Sequence, residues 1–440
     1  MSKNRSNRRH FLRTSALAFV GGQALGRDAL ARPPQQEENS IPVIKNYKTL
    51  GRTGFQVSDI GSGAPMNEAV LKALIEAGVN YMDTGEGYYN GKTDTVIGNV
   101  IKEYDRKKFF IATKLLNEDF FVSKEDVLDR VRQSLERLGT DYVDCCMIHS
   151  VENSKRLKDE HWHAAMEQLK SEGRVRSTGI SCHGSAWLLD PEDSLEKVMM
   201  TAIDDGRFDV FMMTHNYLTQ DVTGRILDAC TEKNIGTAII KSNPVMLYQL
   251  LDGVVTRLEN EGKDSDGYKN WRQKFDPAIQ KGKEYFGKYG YESEEDLIAA
   301  GITYIVSDPR AHTVCLDFKN LESAQTWLGQ SGTHFETEQA NLLGDYKQHL
   351  GFLNCRMGCN ACEKACPYHL PVNNIMRYHY YFQNKRQEKE AMKLYARVQG
   401  TRAEVCHSCT APCEDACPYG VHTKALMALA HEHLSFDHMA

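Results

Sequence analysis

Two stretches near the C-terminus carry the densest chemistry in the chain: "CRMGCNACEKACP" from Cys355 to Pro367 and "CHSCTAPCEDACP" from Cys406 to Pro418. They read Cys355-x3-Cys359-x2-Cys362-x3-Cys366-Pro and Cys406-x2-Cys409-x3-Cys413-x3-Cys417-Pro. A thiolate is a soft ligand, so such tight groups point to metal rather than to disulfides. Zinc is one reading, since four thiolates close a tetrahedral site, though usually as two separated pairs. The short spacing and the closing Cys-Pro favour the other reading, two 4Fe-4S clusters. Cys145, Cys146, Cys182, Cys230 and Cys315 are scattered, mostly in apolar runs where a thiol serves as a small hydrophobe.

A second set of reactive side chains sits earlier. Asp83 and His149 end β-rich runs, Lys114 lies at the end of another, and Tyr88 follows Asp83 in the next loop. A phenol beside an ammonium that a carboxylate holds in place can exchange a proton with a carbonyl or alcohol oxygen, which an imidazole can orient. The ammonium is expected to lower the phenol's pKa. Any one of these residues alone reads as a salt bridge or an interior histidine; four at strand ends read as a site.

To bring those ends together the chain must run several strands in parallel. From Tyr47 to about Gln330, runs at 57–61, 80–84, 109–115, 142–149, 175–181, 208–215, 236–242 and 312–318 alternate with amphipathic helical stretches. One of these, 123–139, opens on Ser123-x-x-Asp126 as an N-cap and closes on Gly139. Eight strand–helix units predict an α/β fold, an eightfold β/α barrel of TIM type with its chemistry at the C-terminal ends of the strands. An open doubly wound sheet is the alternative, but no Gly-x-Gly-x-x-Gly follows the first strand. The long link from about 244 to 309 contains crossover helix and either a lid or a solvated insertion.

These segments resemble the aldo-keto reductases over roughly residues 47 to 330. "LGRTGFQVSDIG" is similar to that family's N-terminal hairpin, "NYMDTGEGYYNG" to its Asp-Thr-x-x-x-Tyr segment, "IATKL" to its lysine strand and "DYVDCCMIHS" to its histidine strand. The resemblance implies that Asp83, Tyr88, Lys114 and His149 form the catalytic tetrad of an oxidoreductase acting on a small carbonyl or alcohol. It also implies a nicotinamide cofactor, NADP(H) or NAD(H), contacted by Ser181, Asn216 and Lys241, and its phosphates would find Lys319 as the nearby cation beside a repelling Asp317. The cofactor side departs from the family's pattern: Cys182 follows Ser181 where Asn is usual, Met212 stands where Gln is expected, and "CLDFKNLESAQ" (315–325), with Asp317, replaces a glycine-containing phosphate loop. The cysteine runs resemble those of bacterial ferredoxins, each with one inserted residue. By that resemblance ligation is crossed, Cys355, Cys359 and Cys362 sharing a cluster with Cys417, and Cys406, Cys409 and Cys413 sharing one with Cys366. A barrel of this family fused to a C-terminal, small α-helical, two-cluster ferredoxin-like domain is a known subfamily.

The chain of 440 residues is long enough for a large and a smaller domain. Expected boundaries are a signal at 1–31, a flexible leader at 32–46, the barrel at 47–345 and the iron–sulfur domain at 346–440. "NRRHFLR" (Asn7 to Arg13), a short apolar run and "ALA" (Ala29 to Ala31) resemble a twin-arginine export signal, and so predict a periplasmic or otherwise exported protein. The apolar run is too short and too Gly-rich to span a bilayer, so no membrane span is expected in the mature chain. Lys+Arg 53 against Asp+Glu 59 leaves a formal charge of -6 and no basic field for nucleic acid. Two classes of function remain: an enzyme passing electrons through its clusters, with a redox protein as partner, or an electron carrier whose barrel has lost its nicotinamide. The His-rich tail "HEHLSFDH" (431–438) reads as a solvated end.

Overall fold

The protein is described as a computed structural model covering residues 41–116, 120–183, 193–242, 294–383 and 387–435, with 256, 260, 276–277, 279–285 and 288 between them. The twin-arginine stretch, most of the leader and most of the 244–309 link lie outside the described residues. The end of the expected leader, 41–46, is held against the barrel: Ile44 is buried, with its N–H on the Ala77 carbonyl at 2.7 Å.

Strands β1 (Tyr47–Thr49) and β2 (Gln56–Ser58) form an antiparallel hairpin. Eight parallel strands follow: β3 (Ile60–Gly63), β4 (Tyr81–Asp83), β5 (Phe110–Leu116), β6 (Val143–His149), β7 (Val175–Cys182), β8 (Val210–Thr214), β9 (Gly236–Ile240) and β10 (Thr313–Leu316). They close in sequence order, with β10 bonded to both β9 and β3, so the sheet has no free edge and the open-sheet alternative is excluded. The expected run at 57–61 splits in two. Val57 and Ser58 belong to the hairpin, and the first barrel strand starts at Ile60, because Asp59 turns the chain and anchors it to Ser331 and Gly332. Leu50 and Val57 of the hairpin plug one end of the barrel over Tyr81, Phe110, Cys145 and Met147. Gly51 makes this plug fit: its φ is +48°, and a Cβ there would lie 2.2 Å from the Gly236 amide nitrogen.

The outer helices bury apolar stripes against the strands. In Lys124–Leu138 the stripe is Val127, Leu128, Val131, Leu135 and Leu138; Ser123 Oγ accepts from Asp126 N–H at 3.1 Å and Gly139 caps the end in the left-handed region.

Beyond the barrel, helix Thr337–Leu350 puts Leu342, Leu343, Tyr346 and Leu350 into a second apolar core, so packing changes hands before residue 346. Helices Val372–Gln383, Glu388–Ala396 and Thr423–Leu434 complete that core, which also takes in Tyr217 and Leu218 from beyond β8. Residues 41–440 form one compact unit. The C-terminal part is an internal repeat. Cys366 Sγ accepts from Leu370 N–H and Cys417 Sγ from Val421 N–H, both at 3.5 Å. Asn373 N–H donates to Glu363 Oε1 at 2.9 Å and Lys424 N–H to Glu414 Oε1 at 3.0 Å. His369 and Gly420 turn the chain at positive φ, and a 12-residue helix follows each turn. The start of the His-rich tail is part of this fold rather than solvated: His431 is buried, with Nδ1 2.7 Å from Tyr395 Oη.

Candidate active site

The register of β4, β5 and β6 sets three of the four tetrad residues side by side: Asp83 pairs with Ala112, Lys114 with Met147, and Leu116 with His149. Lys114 is fully buried. Its ammonium donates to Asp83 Oδ1 and, at 2.7 Å, to the Thr84 carbonyl. Such a pair neutralises a charge that would otherwise be costly inside the barrel. The loop after β4 folds back so that the Tyr88 ring centroid lies 4.8 Å from Lys114 Nζ, a cation–π contact. The ring of His149 meets it edge-on, with centroids 5.2 Å apart at 78°.

Electrostatics here differ from the simple expectation. Tyr88 is pushed well above the ordinary phenol range, first by burial and then by the Asp83 carboxylate. Desolvation disfavours the phenolate more than the nearby ammonium favours it, so the resting phenol keeps its proton. His149 is pushed well below the ordinary histidine range by burial, then by Lys114 and Arg156, and is a neutral imidazole. Its buried Nδ1 makes no hydrogen bond with any described group.

On the β7–β9 side, Ser181 Oγ accepts from Ser150 N–H at 2.9 Å and the Ser181 carbonyl from Val151 N–H at 2.7 Å, which turns the chain after β6. Met212 is buried and pairs in register with Ser181. Asn216 ties the loop after β8 to the end of β9: Nδ2 donates to the Lys241 carbonyl at 2.9 Å, and Oδ1 accepts from the N–H groups of Leu218 and Thr219 at 3.0 and 3.2 Å. Lys241, at φ +56°, places Nζ 4.3 Å from the Tyr381 ring centroid and 4.9 Å from that of Tyr380. Lys319 is exposed, just before the helix Leu321–Leu328.

Tyr381 stands beside Lys241, a neighbour that the strand pattern does not reveal. It belongs to helix Val372–Gln383, is buried, and is near enough to Tyr88 to raise that phenol, after burial and Asp83. One turn earlier Arg377 pairs with Glu152, just past β6, at 3.3 Å, with both side chains buried. The signal in the sequence is the aromatic run "RYHYYF", with Arg377 and Tyr381 four apart and therefore on one helix face.

The electrostatic neighbours of the eight grouped cysteines divide largely into two sets, with Cys413 also acting on Cys362 across them. Burial raises Cys355, Cys359 and Cys362, the last to about 12, and the nearby Cys417 raises each further. Burial raises Cys406 to about 12 and Cys413 to about 11, with Cys366 and Cys409 adding to both. Asn373 Nδ2 donates to Cys355 Sγ at 3.3 Å and Ala411 N–H to Cys409 Sγ at 3.4 Å. Among the described residues, no group of three or more His, Cys, Asp or Glu is gathered in a way that could hold a metal ion.

The chain is 25% identical over 242 residues to the NADH-specific methylglyoxal reductase of Escherichia coli, covering 49% of this chain and 70% of that one. It is 36% identical over 148 residues to an aldo-keto reductase of Mycolicibacterium vanbaalenii, covering 33% of this chain and 47%, about half, of that relative. Among solved structures it is similar to an aldo-keto reductase from Klebsiella pneumoniae in complex with NADPH, at 19% identity and a TM-score of 0.47, covering 69% of this chain and 96% of that one. The model of the aldo/keto reductase family matches residues 58–345, a span that contains all eight barrel strands, and the chain belongs to that family.

Proposed function

We propose that this oxidoreductase is an exported iron–sulfur enzyme that interconverts a small carbonyl compound and its alcohol at the barrel mouth. One observation carries the reading: Lys114, Asp83, Tyr88 and His149 converge on one buried spot. Reducing a carbonyl to an alcohol adds two electrons, which would come one at a time from a reduced redox partner by way of the clusters, and two protons, one to carbon from water and one to oxygen. Tyr88, held protonated, donates the proton that ends on oxygen, and the neutral His149 donates a hydrogen bond that orients that oxygen. As the phenolate forms, Lys114 stabilises it and Asp83 keeps Lys114 in place.

In number, type and spacing the eight thiols match the ligands of two 4Fe-4S clusters, one on Cys355, Cys359, Cys362 and Cys417, the other on Cys406, Cys409, Cys413 and Cys366, although the described side chains are not gathered closely enough to hold metal as they stand. Bound there, such clusters carry single electrons. The cysteine neighbourhoods and the N–H groups donated to Cys355, Cys366, Cys409 and Cys417 support this reading, since hydrogen bonds to sulfur tune such clusters. A redox protein outside the chain is the expected exchange partner. Export rests on the twin-arginine stretch and the "ALA" that follows; no described helix is long and apolar enough to cross a membrane.

The test is anaerobic. Holoprotein reduced with dithionite is offered a panel of small aldehydes and ketones while the cluster absorbance is followed. Reoxidation by at least one compound, lost in Tyr88→Phe, is the expected result. If no compound reoxidises the protein, or if Tyr88→Phe behaves as wild type, the reading fails.

A further inference from the structure

Helix Val372–Gln383 of the C-terminal part touches the barrel at separated places around the mouth. Arg377 meets Glu152 beyond β6, and Tyr381 and Tyr380 meet Lys241 at the end of β9. Those strands lie apart in the closed order, so the helix bridges the opening instead of leaning on one edge. Arg377 and Tyr381 are one turn apart on the same face, and the buried ion pair fixes the rotation that aims Tyr381 inward.

We infer that Tyr381 is a specificity-determining residue of the barrel site, its ring closing the space against Lys241 so that a small carbonyl compound enters and a dinucleotide does not. This rests on the oxidoreductase reading of Tyr88 and His149 and sharpens it. A nicotinamide that delivered hydride to the carbon whose oxygen Tyr88 protonates would have to bring its ring within about 3–3.5 Å of that carbon. With Asp83, Lys114 and His149 filling the β4–β6 side, the ring would have to lie toward β7–β9, and there Tyr381 already covers Lys241. The groups that remain on that side are poor partners for a carboxamide. Cys182 and Met212 are buried and supply no strong donor or acceptor, the Asn216 amide is committed to Leu218, Thr219 and the Lys241 carbonyl, and Ser181 Oγ, already accepting from Ser150, offers a single O–H. The residues present therefore do not fit a nicotinamide while the helix is seated.

The test is binding, not turnover. Full-length holoprotein is titrated with NADPH and with NADH by fluorescence, as wild type, Tyr381→Phe and Tyr381→Ala. The expected result is no saturable binding to wild type or to Tyr381→Phe, which keeps the ring, and a gain of about tenfold or more in affinity in Tyr381→Ala. Binding to wild type as tight as to Tyr381→Ala overturns the inference, as does a folded Tyr381→Ala that binds neither dinucleotide. Should Tyr381→Ala not fold, hydrogen exchange of residues 372–383 in wild type decides: unchanged protection on adding NADPH supports the seated helix, and faster exchange overturns it. Tyr88→Phe turnover, measured alongside, separates the two claims, because loss of the acid/base reading would appear there and not in the titration.

Discussion

At the scale of single residues, the site works by keeping groups neutral. Burial dominates at both Tyr88 and His149, moving one well above and the other well below its ordinary value. Neither group then changes protonation between pH 6.5 and 10, the ordinary values of imidazole and phenol. The reductive rate of the holoprotein should thus be flat with respect to these two groups across that window, as a pH–rate profile would read. An inflection near pH 6.5 that vanishes in His149→Gln would contradict the neutral imidazole. Within such a profile Tyr88→Phe should lower kcat by about 10²–10⁴-fold with a much smaller change in KM, because the ring stays and only the proton is lost. Asp83, Lys114 and His149 could be read because polar residues at the ends of apolar runs are locally anomalous, and Tyr88 because it follows Asp83 in the next loop. The sign of the Tyr88 shift could not, since it depends on how deeply the folded chain buries the phenol.

At the scale of elements, the barrel could be read from alternation and capping, as Ser123, Gly139 and the register of β4 to β6 illustrate. The hairpin boundary at Asp59 was misplaced because "VSDIG" is continuous in β propensity and only the Asp59 contacts with Ser331 and Gly332 break it. The placement of helix Val372–Gln383 over the mouth could not be read at all, because it is fixed by a long-range pair, Arg377 with Glu152. Breaking a buried pair on one side strands a charge and costs about 3–5 kcal/mol. Arg377→Met should therefore destabilise the protein by roughly that amount in urea unfolding, and adding Glu152→Gln should restore part of it; equal stability of wild type and Arg377→Met would remove the latch. The repeat makes a separate prediction. Since Cys366 neighbours Cys406 and Cys413, Cys366→Ser and Cys406→Ser should perturb the same electron paramagnetic resonance signal, and Cys417→Ser the other. If Cys366→Ser instead matches Cys359→Ser, ligation is not crossed.

At the scale of the whole molecule, the barrel and the cysteine-bearing part form one compact unit and share apolar core. That unit carries several histidines buried as neutral groups. Burial lowers His215 and His312 to about 4 in the folded chain, against 6.5 when exposed. The unfolded chain therefore binds more protons between those values, and stability present above pH 6.5 is lost as the pH falls toward 4, by roughly 2–3 kcal/mol for each histidine at the lower limit. Urea midpoints should fall across that interval, and a midpoint that rose would reverse the sign. The central claim, that an aldo/keto reductase barrel has its redox chemistry built in through eight C-terminal thiols, is tested most directly by counting. Anaerobically purified protein should contain about eight iron and about eight acid-labile sulfide per chain. A count near four of each, or zinc in place of iron, would contradict it.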